Sequence, residues 1–126
     1  MARIMIVDDA LFMRQMLAKI LTAEGHTICA EATNAKEAVE KYKTIKPDLV
    51  TMDIVMPMME ELDGIGAVGE IVKLDPEAKI LICSAMNQQP IVVEALRLGA
   101  KDFISKPVNP QRLKEIVQNI LTEPLG

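Results

Sequence analysis

Five short apolar runs, each followed by a longer stretch of helical period, constrain the fold of this chain more than any other feature. The runs are Ile4-Met5-Ile6-Val7, Thr27-Ile28-Cys29-Ala30, Asp48-Leu49-Val50-Thr51-Met52, Ile80-Leu81-Ile82-Cys83 and Phe103-Ile104. Most lack the alternation of apolar and polar residues that marks a half-exposed strand, so they read as parallel strands covered on both faces. Phe12, Met13, Met16, Leu17, Ile20 and Leu21 recur at the spacing of one helix face. Ala38, Val39 and Tyr42 do the same, as do Val92, Ala95 and Leu96, and finally Leu113, Ile116, Val117 and Ile120. Strands alternating with helices in this way build a doubly wound α/β sheet rather than a set of hairpins. Gly25 and Gly99 stand just past the first and fourth helices and Pro110 just inside the last. The third helix is the weak one: Gly64, Gly66 and Gly69 fall in or beside it. Each interior glycine costs about 1 kcal/mol relative to alanine, so the segment from Met58 to Glu70 is expected to be locally unstable and mobile.

A chain of 126 residues suits one such unit, so a single domain over 1–126 with no output domain is expected. Half of the residues are apolar and 25% charged, which excludes disorder. No apolar run approaches the roughly 18 residues needed to cross a bilayer, and Met1-Ala2-Arg3-Ile4 does not open a signal peptide, so a cytoplasmic location is expected. A net charge of −4 and 2% aromatic residues give neither the field nor the stacking platforms for nucleic acid. Cys29 and Cys83 each lie in an apolar run and read as buried free thiols.

The polar residues gather where the strands stop. The first run ends in Asp8-Asp9, the third in Asp53, the fourth in Ser84 and the fifth in Lys106, while the second ends in nothing comparable. Ligands of open α/β sheets bind outside the carboxyl ends of the strands, so strands one, three, four and five should surround a site. Strand two is then an edge and the order is 2-1-3-4-5. Three carboxylates meeting there repel one another and need positive charge. Lys106 supplies one unit, and a hard divalent cation such as Mg²⁺ supplies two. A carboxylate, a cation, a lysine and a hydroxyl together suit phosphoryl transfer, with an aspartyl phosphate as product. Each residue also has a plainer reading. Asp8 or Asp9 could cap a helix, Ser84 could be a strand-end hydroxyl, Lys106 could be solvated and Phe103 could be simple packing.

Four ordered motifs carry a resemblance over the whole chain: Ile6-Val7-Asp8-Asp9, Met52-Asp53-Ile54-Val55-Met56-Pro57, Ser84-Ala85-Met86 and Gly99-Ala100-Lys101-Asp102-Phe103-Ile104-Ser105-Lys106-Pro107. In these the chain resembles response-regulator receiver domains, most of all the single-domain chemotaxis regulators among them. The resemblance implies a flavodoxin-like (βα)5 sheet. It also implies phosphorylation of Asp53 by a sensor histidine kinase of the CheA type, with Mg²⁺ on Asp9, Asp53 and the backbone carbonyl of Val55 and with Asp8 assisting through water. Lys106 would pair with the phosphoryl oxygens and Lys106-Pro107 would be a cis peptide. Ser84 would bond the phosphoryl group, letting Phe103 turn from an exposed to a buried rotamer and reshaping the surface of the fourth helix, fifth strand and fifth helix. Partners implied are the kinase, a motor switch protein or an archaeal adaptor, and a phosphatase, with the chain itself a monomer that catalyses only its own Mg-dependent phosphorylation and dephosphorylation.

The chain departs from the family pattern in one segment. Gly64 lies seven positions beyond Pro57, three more than the pattern expects, so Met58-Met59-Glu60-Glu61-Leu62-Asp63 carries extra residues. Val55 precedes them, so the chemistry should survive while partner contacts change. Val55 and Met86 are apolar where a polar side chain could orient an attacking water, which predicts a shielded, slowly hydrolysed phosphoryl group. The competing functions are a phosphorelay intermediate, a stand-alone receiver with a non-motility partner, and a hydrolase or flavoprotein on a similar sheet. The last pair fits poorly. A haloacid-dehalogenase-like phosphatase needs Asp-x-Asp after its first strand, and Asp8-Asp9 would repel a flavin phosphate.

Overall fold

The computed structural model describes residues 1–56, 62–85 and 88–123. Its elements alternate strictly. They run β1 (Arg3–Val7), α1 (Leu11–Ala23), β2 (Thr27–Ala32), α2 (Ala35–Ile45), β3 (Leu49–Asp53), α3 (Gly64–Leu74), β4 (Ile80–Ser84), α4 (Gln89–Leu98), β5 (Asp102–Ser105) and α5 (Pro110–Thr122). All five strands are parallel, in the order β2-β1-β3-β4-β5. The doubly wound flavodoxin-like arrangement read from the sequence is therefore the one observed.

Apolar alternation along the strands loads both faces of the sheet. Met5, Val7, Val50, Met52, Ile80 and Ile82 face a layer formed by α2, α3 and α4. Ile4, Ile6, Leu49, Leu81, Cys83 and Ile104 face α1 and α5, whose Leu17, Leu21, Leu113, Ile116 and Val117 complete the second layer. Complete burial holds only for the central strands: β3 and β4 are covered along their whole length and β1 beyond Arg3, whereas the edge strands β2 and β5 are partly exposed. The expectation of double coverage fails at the edges because each edge strand has a neighbour on one side only. Cys83 is accordingly buried, but Cys29, on β2, is only half-buried. Phe12 also departs from its helical-face reading. It is 74% exposed at the start of α1, beyond the reach of the layer below.

Side-chain caps fix several helix starts. Asn34 accepts from the Glu37 N–H at 2.9 Å, Asp63 from the Gly66 N–H at 2.7 Å and Asn109 from the Arg112 N–H at 3.0 Å. At the far end of α4, Gly99 closes the helix with φ +126°, a conformation side chains rarely adopt. The helix expected to be weak is formed over Gly64–Leu74, which starts later and ends later than the glycine-rich segment suggested. Gly64 has a steric purpose there, since a Cβ on it would lie 2.6 Å from the Ile54 Cα. Glycine at this position lets α3 begin directly against the end of β3.

Thr51 is fully buried between Ile6 and Leu81, and among the described residues its hydroxyl finds no hydrogen-bond partner. Replacing it by the isosteric valine removes an unpaired polar group from the core. Thr51→Val is expected to raise unfolding stability by about 1 kcal/mol in a urea melt. A lower midpoint than wild type would show that the hydroxyl is satisfied in solution. Among the described residues, no helix is long and apolar enough to cross a membrane.

Candidate functional site

Strand register brings the carboxyl ends of β1, β3, β4 and β5 level. Val7 pairs with Met52, Asp53 with Cys83 and Ser84 with Ser105, so Asp8, Asp53, Ser84 and Lys106 emerge along one sheet edge. Asp8 is 1% exposed and every polar atom of it is used. Its N–H donates to the Ala32 carbonyl at 3.0 Å, Oδ1 accepts from the Ala10 N–H at 2.9 Å and Oδ2 accepts from Lys106 Nζ at 3.1 Å. The Asp8 carbonyl accepts from Arg14 at 2.7 Å. Neither Asp8 nor Asp9 caps α1, whose N-cap is Ala10 without a side-chain bond.

Asp53 is 5% exposed at the end of β3. Its Oδ1 accepts from the Val55 N–H at 3.1 Å, and its Oδ2 lies 3.5 Å from Lys106 Nζ. Burial pushes the Asp53 carboxyl above the usual carboxylate range, against the Val55 N–H and the Lys106 charge, with the Asp8 charge adding to the rise. Burial alone would lower Lys106, but the charges of Asp53 and Asp8 outweigh it and hold its ammonium above the ordinary value. Asp9 is exposed at the rim. Asp8, Asp9 and Asp53 each offer an oxygen, and these oxygens lie within 4.8 Å of one another. Three carboxylates face one lysine, so the cluster keeps a negative excess. Hard anionic oxygens at this spacing fit a small divalent cation such as Mg²⁺. Among the described residues no other three such side chains converge in this way.

The remaining expected residues lie on β4 and β5 or just beyond strand ends. Ser84 is buried, and its carbonyl accepts from the Lys106 N–H at 2.6 Å. The Lys106–Pro107 peptide is cis. Phe103 is 39% exposed on β5, and Val55 is 51% exposed beyond Asp53. With Leu11 and Phe12 these residues leave apolar side chains uncovered on the elements flanking the site. Met86 and the segment 57–61, which holds most of the extra residues, lie outside the described residues. His26 lies at the opposite end of the sheet, where its Nδ1 accepts from the Ala2 N–H.

Two participants escaped the sequence reading. Arg14 reaches back from α1 to the Asp8 carbonyl while pairing with Glu31 at 2.8 Å. A lone arginine among Met13, Met16 and Leu17 was the available signal. The Gln88 side chain accepts from the Ala85 N–H at 2.7 Å, a contact that no pattern marks.

Comparison with known proteins agrees with this geometry. The family model described as the response regulator receiver domain matches residues 4–118. The "Chemotaxis protein CheY" of Thermotoga maritima is 57% identical over 118 residues, covering 94% of this chain and 96% of its own. That of Bacillus subtilis is 53% identical over 119 residues, covering 94% and 97%. Among solved structures, the CheX–CheY–BeF3–Mg complex of Borrelia burgdorferi matches with a TM-score of 0.88 at 36% identity, covering 96% of this chain and 90% of that one.

Proposed function

This chain belongs to the response regulator receiver domains, and from that premise we propose that it is a chemotaxis response regulator that takes a phosphoryl group on Asp53 from the phosphohistidine of a CheA-type sensor kinase. One observation carries the reading: Lys106 Nζ stands between two buried carboxylates, 3.1 Å from Asp8 and 3.5 Å from Asp53, with Asp9 beside them. An Asp53 carboxylate oxygen attacks phosphorus as the phosphorus–nitrogen bond to the donor histidine breaks, and the imidazole leaves with the bonding pair. Lys106 neutralises a phosphoryl oxygen, and the Val55 N–H holds the Asp53 carboxylate in line. Asp9, Asp53 and the Val55 carbonyl would hold Mg²⁺, with Asp8 assisting through water; when bound, the ion supplies the remaining positive charge. Release is a second displacement at phosphorus: water attacks, the Asp53 carboxylate leaves with the bonding pair, and inorganic phosphate departs.

The output goes to a motor switch protein or an archaeal adaptor through the surface of α4, β5 and α5, where Ser84 draws toward the phosphoryl group and Phe103 turns inward. Phe103 stands partly exposed before any such turn. The B. burgdorferi assembly of CheY with CheX, beryllofluoride and magnesium is the kind of complex a phosphatase partner would make with this chain. We place the protein in the cytoplasm as a monomer, whose catalysis is confined to its own phosphorylation and dephosphorylation.

The test is phosphorylation with a small acyl phosphate in the presence of Mg²⁺, followed by peptide mapping. The expected label is on Asp53 and disappears with a chelator. Beryllofluoride-activated and resting protein are then passed over immobilised motor switch protein, and the protein phosphorylated by the acyl phosphate is separately mixed with a histidine phosphotransfer protein. Retention of only the activated form by the motor protein supports the output role. Phosphoryl transfer to the histidine protein without motor binding favours the relay, and a label elsewhere overturns the site.

A further inference from the structure

Asp9 is the member of the acidic cluster whose side chain no described residue holds. Among the described residues its carboxylate accepts no hydrogen bond and pairs with no cation, yet it lies within 4.8 Å of Asp8 and Asp53. Its placement is therefore set by backbone, and first by the peptide that joins Asp8 to Asp9. The carbonyl of that peptide is gripped by the Arg14 guanidinium at 2.7 Å. Arg14 sits one turn into α1, its N–H bonded to the Ala10 carbonyl. Its side chain is largely buried, and its Nε donates at the same time to Glu31 at 2.8 Å. Glu31 belongs to β2 and is itself anchored, because its own carbonyl accepts from Lys41 of α2. The guanidinium thus spans two fixed points, a strand on one side and the acidic loop on the other. No side-chain cap at the start of α1 does this work instead.

We propose that Arg14 is a positioning residue for the cation site: by holding the Asp8 carbonyl against Glu31 it fixes the peptide that aims Asp9. The assignment rests on reading the cluster as a Mg²⁺ site. Arg14 acts on that site in two ways of opposite sign. Its positive charge repels a cation, so on charge alone its removal tightens Mg²⁺ binding. Its two hydrogen bonds orient a ligand, so on geometry its removal weakens binding, and losing such an outer contact typically costs about tenfold or more in metal affinity. The sign of the change separates the two.

The experiment is calorimetric titration of MgCl2 into the wild-type chain and variants, with metal-free thermal melts alongside. Arg14→Met keeps the length of the side chain and drops both bonds and the charge; its Kd for Mg²⁺ is expected to rise about tenfold. Arg14→Lys keeps the charge, but one ammonium cannot reproduce the planar two-ended grip, so binding stays weakened. Glu31→Gln and Glu31→Ala lose the same charge and differ in whether an acceptor remains for Arg14. Binding is expected to be weaker in the alanine variant, and that gap is read even if Arg14→Met fails to fold. Equal affinities in the two Glu31 variants, or an Arg14→Met protein that binds as tightly as wild type, overturn the assignment while leaving the metal site intact. A wild-type chain with no saturable response that Asp9→Ala abolishes would instead overturn the metal reading, and this assignment with it. Melts that fall while Mg²⁺ affinity holds would show a purely structural arginine.

Discussion

Asp53→Asn is expected to abolish phosphoryl incorporation and, at the same time, to make the protein more stable. The first effect follows because an amide has no anionic oxygen with which to attack phosphorus. The second follows from where Asp53 lies. Its carboxyl is buried beside the charge of Asp8, and burial raises it above the usual range despite Lys106. The folded state therefore holds the Asp53 proton more tightly than the unfolded chain does. Wild-type stability then falls as pH rises from the ordinary carboxylate value of about 4 through the raised native value, and levels off above it. Asparagine has no such loss. Denaturant melts without metal should show the variant more stable at neutral pH by roughly 1 kcal/mol or more, with the difference closing toward pH 4 and below. A variant less stable than wild type at pH 7 would mean that Lys106 holds Asp53 more strongly than Asp8 and burial oppose it.

Lys106→Met should have the opposite effect on stability. Among the described residues Lys106 is the cation in contact with the Asp8 and Asp53 carboxylates, and its loss leaves two buried carboxylates facing each other. Removing one partner of a buried ionic group costs roughly 3–5 kcal/mol, and because a quarter of the Lys106 side chain meets solvent, a value of about 2–3 kcal/mol is expected. The lysine's contribution is fully present below its ordinary value of 10.5 and is lost as pH rises through the higher native value. Adding Mg²⁺ should restore much of the thermal stability, since the ion supplies charge to the same oxygens. It should not restore the rate of phosphorylation by a small donor, because the phosphoryl oxygens still lack the ammonium. A melting temperature indifferent to both the substitution and Mg²⁺ would contradict the electrostatic account of the site.

The residues that made the fold legible were those whose neighbours are dictated by the chain itself. Ile4 to Val7 and Ile80 to Cys83 are apolar without alternation, and both are central strands. The second strand, which ends in no functional residue, is indeed an edge. Asp8, Asp9 and Asp53 were legible as a cluster because strand ends in a parallel sheet are bound to converge. What failed depended on tertiary neighbours. Phe12 has the right period to be buried, but nothing in its own helix says that the layer stops short of it. Thr27 to Ala30 looks like a covered strand, and only its place at the border exposes Cys29. The glycines of α3 were read as a cost, whereas Gly64 is required by the approach of Ile54, a residue ten positions away. Arg14 carries no such signal, because its meaning lies in Glu31 on the separate strand β2.

The two thiols are unlike in a way that gives the molecule its own reporter. Cys83 sits across the ladder from Asp53, fully covered, with burial pushing its thiol up to about 12, while Cys29 is reachable on the border strand. A maleimide at neutral pH should therefore mark Cys29 first. Any later alkylation of Cys83 would time the opening of the sheet beside Asp53, with no foreign label installed.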